Sequence, residues 1–145
     1  MAEQAPLKFV FYIAAPIEKV WDGFVGEAAN RAIFSTDFEI DLKPGGQIAW
    51  VGKDKDGKRV EYVHGEVIKA EPPKLLQYTF AIGPTGKFSR VTLELTPETE
   101  ATKVVVAHDQ WAEDDTMYAP TTDGWPRILS RLKTLIETGK TFKPH

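Results

Sequence analysis

Cysteine is missing from the chain altogether. That one absence excludes a disulfide framework, a thiolate nucleophile, a zinc finger and an iron–sulfur cluster. Positive charge is scarce as well: 18 Lys and Arg against 21 Asp and Glu leave a formal charge of −3, which gives nucleic acid no basic surface to follow. No apolar run approaches the ~18 residues of a membrane span. The opening MAEQAPLKF has no charged head running into an apolar segment, so a cytoplasmic location is expected. Histidine occurs only three times, which leaves little for metal or acid–base chemistry, and neither a metal nor a cofactor is expected. Against these scarcities stands one surplus. Eight Phe, four Tyr and four Trp make 11% of the 145 residues aromatic. At roughly 100–200 residues per domain, residues 1–145 form a single domain with one core. Where the aromatics point within it decides what it can do.

Leu7–Ile13 reads LKFVFYI, with Leu7, Phe9, Phe11 and Ile13 apolar at a period of two, which predicts a strand with one apolar face. The period then changes. After Ala15-Pro16, the residues Ile17, Val20, Trp21 and Phe24 recur at i, i+3, i+4 and i+7, the stripe of a helix opened by proline. Gly23 and Gly26 weaken its end, and Glu27–Phe34 reads as a second short helix. Strands and turns follow: Phe38–Leu42, Gln47–Gly52, Arg59–Ala70, Leu75–Ile82, Phe88–Leu95 and Thr102–Gln110. Pro44-Gly45-Gly46, Asp56-Gly57, Pro72-Pro73, Gly83-Pro84 and Pro97-Glu98 punctuate them. Gly65, inside the longest strand, is expected to mark a bulge or bend. Residues 111–121 read as an acidic loop whose apolar tip, Met117 and Tyr118, is suited to close over a pocket. The last helix carries Trp125, Ile128, Leu129, Leu132, Leu135 and Ile136 on one stripe. Thr121, Thr122 or Asp123 is expected to cap it, Pro126 to lie in its first turn and Gly139 to end it. Seven strands, six of them consecutive, favour antiparallel pairing. The expected class is α+β: a curved seven-stranded antiparallel sheet wrapped around a long C-terminal helix, with two short helices after strand 1.

The order and spacing of particular residues carry a resemblance. Ala15-Pro16…Val20-Trp21, Pro44-Gly45-Gly46, Gly57, Gly65-Glu66-Val67, Pro72-Pro73…Leu76…Tyr78-Thr79-Phe80, Val91-Thr92…Leu95, Thr102…His108 and Gly124-Trp125…Ile128-Leu129…Leu132-Lys133 together resemble the activator of heat-shock-protein-90 ATPase homologue family. That family lies within the START-like (SRPBCC) helix-grip superfamily, and the likeness runs from about residue 7 to 139. It implies a helix-grip fold with a cavity between the sheet and the last helix. Two departures bear on that cavity: Ser35 follows Phe34 where relatives often carry a tryptophan-rich segment, and Phe80 stands where tryptophan is frequent.

The pocket so implied has candidate walls in Phe9, Phe11, Phe34, Trp50, Tyr78, Phe80, Val91, Leu93, Val106, Trp125, Leu129 and Leu132. His108 is its best polar group, titrating near neutrality and able to donate to or accept from a ligand. The same aromatics would also serve to fill an ordinary core. No catalytic residue stands out, since Gly-x-Ser-x-Gly and Gly-rich phosphate loops are both missing. His64 and Glu66 share a strand face but lack the further ligands of a zinc site. Asp54-x-Asp56-Gly57 fails the calcium register, because Gly52 and Val63 would take positions 1 and 12. Three functions stay open: a container for a small hydrophobic ligand, a chaperone-ATPase-activating interaction domain of the stress response, or a cyclase or hydrolase with His108 and Glu66 as acid and base. Any of them suits a monomer or a homodimer.

Overall fold

Alternation of apolar and polar residues governs most strands of the computed structural model, which describes residues 3–84 and 86–143. The strands β1 (Leu7–Ile13), β2 (Asp37–Ile40), β3 (Gln47–Lys53), β4 (Arg59–Glu71), β5 (Leu75–Ile82), β6 (Ser89–Pro97) and β7 (Thr102–Asp109) form one sheet. Their order is β1-β7-β6-β5-β4-β3-β2, and each neighbouring pair is antiparallel. The first strand thus lies beside the last, and the two edges are β1 and β2. Two helices, α1 (Ile17–Val25) and α2 (Glu27–Phe34), carry the chain from one edge to the other. The last helix, α3 (Tyr118–Thr138), packs against β1, α1 and α2. This is the helix-grip arrangement.

Directly paired residues share a face, so the register aligns side chains into rows across the sheet. Phe9, Val106, Leu93 and Leu76 form one row; Leu7, His108, Val91, Tyr78 and Val67 form the next. Away from the β1 edge every member is buried. Leu129, Leu132 and Ile136 of α3 complete the core from the other side. Each fully buried Val, Leu or Ile contributes about 1.5–3 kcal/mol, and these rows hold the sheet to the helix.

Two glycines permit close approach. A Cβ on Gly23 would lie 2.5 Å from Ile136 Cδ1, so α1 meets α3 where a side chain would part them. Gly65 does not itself form a bulge; the register of β4 shifts between Val67 and Lys69. Its role is closeness to β5, since a Cβ there would fall 1.7 Å from the Thr79 carbonyl oxygen.

The start of α3 departs from expectation. Pro126 lies well inside the helix, and Thr121, Thr122 and Asp123 are helical residues that do not cap its start. Tertiary contacts override the proline. Asp115, 7% exposed, accepts the Met117 N–H on Oδ1 at 2.9 Å and the Tyr118 N–H on its carbonyl at 3.3 Å, so helix geometry begins at the supposed acidic loop. Tyr118 stands edge-on to Trp111, with ring centroids 5.2 Å apart, and donates its hydroxyl to the Ala5 carbonyl at 2.8 Å. Gln4 adds bonds to the carbonyls of Ala112 and Asp115 at 2.8 and 3.1 Å. The segment is fastened down, and Tyr118 does not close over the space between the sheet and α3. Among the described residues no helix is long and apolar enough to cross a membrane.

Candidate functional site

Between the N-terminal half of α3, the end of α2 and strands β3 to β5 the structure leaves space in two connected parts. An outer cleft of about 560 Å³ is lined by Phe34, Ser35, Thr36, Trp50, Tyr62, Val63, Tyr78, Phe80, Ile82, Pro120, Thr121, Gly124, Trp125 and Ile128. An inner cavity of about 50 Å³ runs from it toward the core, bounded by Asn30, Ile33, Leu76, Val91, Leu93, Val106 and Leu132 among others. Phe34, Trp50, Tyr78, Trp125 and Ile128 line both and form the throat between them. Neither part has a charged side chain on its wall. The outer cleft falls within the ~300–1,000 Å³ of ligand sites; the inner cavity is far below it.

Both tryptophans of the throat are fixed from behind. Trp50 donates its indole N–H to Asn30 Oδ1 at 2.9 Å. Asn30 is buried where α1 breaks at Gly26, and its amide donates to the carbonyls of Phe24 and Gly26 at 3.0 and 2.8 Å. The kink between the helices therefore sets the ring. Phe38, Phe34 and Tyr78 surround Trp50 at centroid distances of 4.9, 5.7 and 6.2 Å, all tilted or edge-on, the arrangements aromatic rings prefer.

Trp125 is held by His108. Its indole N–H donates to His108 Nδ1 at 2.9 Å. An indole only donates, so Nδ1 is the bare nitrogen and the proton sits on Nε2. Nε2 then donates to Ser89 Oγ at 2.6 Å, and Ser89 passes its own hydrogen to the Phe80 carbonyl at 3.3 Å. Rings of Trp111, Phe80 and Trp125 enclose the imidazole at 4.2, 4.7 and 5.9 Å. Burial pushes the His108 pKa down to about 3, against a small upward pull from Asp109. His108 is fully buried and lines neither space, so the near-neutral group expected from the sequence is instead a neutral ring with both nitrogens engaged.

A histidine held neutral makes folding acid-sensitive with a definite sign. The unfolded chain binds a proton near 6.5 and the folded chain near 3, so stability present above 6.5 is lost as the pH falls between them. Urea unfolding should show the His108 contribution shrinking by about 1 kcal/mol between about pH 6 and 5. His108→Gln should remove that part of the slope, and an unchanged slope would show that the ring is not neutral by burial.

The remaining sequence candidates divide by position. Phe34, Trp50, Tyr78, Phe80 and Trp125 meet at the cleft, and Val91, Leu93, Val106 and Leu132 at the inner cavity. Phe9, Phe11 and Leu129 border a separate groove between β1 and α3. Alternation puts Phe9 and Phe11 on the inner face, but β1 is the edge strand and α3 lies between it and the cleft. Sequence reasoning misses Ser35, Thr36, Tyr62, Val63, Ile82, Pro120, Thr121 and Gly124, which come from four segments brought together only by the fold. Ile128, on the α3 stripe, carries a signal that by itself speaks only for packing. The acid–base pair suggested for an enzyme does not assemble. Glu66 is exposed on β4 and, like His108, lines neither space. Among the described residues no three His, Asp or Glu gather to hold a metal.

Solved structures share this architecture. A protein from Cytophaga hutchinsonii is 29% identical over 96% of this chain and 98% of its own, with a TM-score of 0.76. An HSP90 activator from Plasmodium falciparum is 17% identical, covering 90% of this chain and 95% of its own at a TM-score of 0.73. The Aha1 dimer from Colwellia psychrerythraea is 19% identical, covering 94% and 99% at 0.72. No curated protein matches the sequence. The family model for Activator of Hsp90 ATPase homolog 1-like protein matches residues 14–137, and the chain belongs to that family.

Proposed function

We propose that the chain binds a small, mostly apolar molecule in the outer cleft. The observation that carries this reading is a space of about 560 Å³ whose wall has no charged side chain and whose two tryptophans are hydrogen-bonded away from it. Rings fixed in advance lose little freedom when a ligand arrives, which favours affinity. The inner cavity, at about 50 Å³, offers room for a small protruding group only.

A ligand that binds only the folded form stabilises it by mass action. At a hundred times its Kd the gain is about 2.7 kcal/mol, which for a domain of this size raises Tm by roughly 5–10 °C. A screen of neutral aromatics and lipids should therefore find compounds that raise Tm and change the emission of Trp50 and Trp125. A screen in which neither quantity moves would remove the proposal.

Family membership favours a second reading, activation of a chaperone ATPase through the protein surface. The two separate on one comparison. Activation of an Hsp90-type chaperone that survives Trp125→Ala in the cleft supports the surface reading, and no effect on ATP turnover removes it.

A further inference from the structure

The cleft carries hydroxyls that no other described residue engages, and one of them stands at the throat. Tyr78 lines both the outer cleft and the inner cavity, so its side chain stands at the throat. Buried hydroxyls nearly always find a partner. The Tyr78 hydroxyl makes no hydrogen bond to another described residue, and its oxygen is not itself enclosed although the residue as a whole is only 7% exposed. Two threonine oxygens at this cleft, Thr36 Oγ1 and Thr121 Oγ1, are buried without a partner. Elsewhere the interior is well paired: Asn30, Ser89, Thr102, His108 and Arg131 all have hydrogen-bond partners. Among the described residues, hydroxyls without a partner gather at this apolar cleft.

Resting on the binding reading above, we infer that the cleft selects uncharged molecules that carry an acceptor oxygen, a carbonyl or ether on an apolar frame, and that Tyr78 donates its hydroxyl hydrogen to that oxygen. Burial raises the Tyr78 pKa, which keeps the hydrogen in place as a donor. The wall supplies no cation to accompany a carboxylate and no anion to accompany an amine. A charged ligand would lose its hydration without compensation, whereas a carbonyl exchanges water for one hydrogen bond.

Three probes of nearly equal shape test this: methyl naphthyl ketone, ethylnaphthalene and naphthoate, each titrated by calorimetry into the parent protein and into Tyr78→Phe. The ketone should bind the parent at least tenfold more tightly than naphthoate. Tyr78→Phe should weaken the ketone roughly fivefold to tenfold, the effect of one neutral hydrogen bond, and leave ethylnaphthalene unchanged. The hydrocarbon also reports that the variant has kept its cleft. Equal losses for ketone and hydrocarbon, no loss for the ketone, or naphthoate binding as tightly as the ketone would each overturn the inference while leaving the container reading intact. Failure of both neutral probes to bind the parent protein would overturn the inference, and the same failure across the wider screen would overturn both.

Discussion

Gly65→Ala should cost the fold about 3 kcal/mol or more, at the upper end of overpacking effects. The added Cβ would fall 1.7 Å from the Thr79 carbonyl oxygen, 2.6 Å from its carbon and 3.0 Å from Oγ1. Two of these atoms are backbone and have no rotamer to escape into. Strand β4 must move off β5, and the bond from the Glu66 N–H to Thr79 Oγ1, 2.9 Å long, is lost with it. The strain lies in the pairing of two central strands, next to the register shift at Val67 and Lys69. Urea unfolding of the variant measures the effect directly. A midpoint close to the parent's would mean that the two strands do not approach as closely as described.

Arg131→Met should be of similar size, about 3 kcal/mol, for a different reason. Arg131 is 7% exposed and has no carboxylate partner among the described residues. Its guanidinium is held by backbone oxygen: Nη1 donates to the Ile33 carbonyl, Nη2 reaches the Ala32 carbonyl at 3.4 Å, and Nε donates to the Phe142 carbonyl at 2.7 Å. Two of these oxygens belong to the last turn of α2, where unpaired carbonyls and the negative end of the helix dipole favour a cation. Methionine matches the volume but leaves the carbonyls buried and unpaired. Lysine keeps the charge with a single ammonium in place of the planar fork, so Arg131→Lys should recover only part of the loss. If Met is tolerated within about 1 kcal/mol and Lys fares no better, the clamp contributes only packing. Because α2 ends in Phe34, with Ser35 and Thr36 next in the chain, this clamp also fixes one wall of the cleft.

Most of the fold is legible in the sequence because its signals are local. The period of two in Leu7–Ile13 and its change after Pro16 mark strand and helix within a residue of where they lie. Pro126 misleads for a physical reason: a proline disfavours helix by local rules, but here Asp115, the grip of Ala5 and Trp111 on Tyr118, and the hold of His108 on Trp125 act from outside the helix. The cleft is legible only by half. Aromatics at alternating positions announce an inner face, and Trp50, Tyr78 and Phe80 are found that way. That Phe9 and Phe11 border another groove depends on strand order, which no local pattern carries. The rim residues Thr36, Tyr62 and Thr121 are far apart in sequence, and each looks like an ordinary surface position. His108 resembles a ligand contact until its two nitrogens are traced to Trp125 and Ser89.

Pro126 has a mechanical meaning. Lacking an N–H, it leaves a gap in the helical ladder opposite the Thr122 carbonyl. The gap separates two portions of α3 with different duties. Pro120, Thr121, Gly124 and Trp125 before it line the cleft, joined by Ile128 just past it, while Leu129, Leu132 and Ile136 beyond fill the core. Across that joint the two portions share fewer backbone constraints than neighbouring turns of an unbroken helix. Substitutions that reshape the first two turns load the joint before they load the core. The wall of the cleft can in this way vary while the core that holds the scaffold together stays as it is.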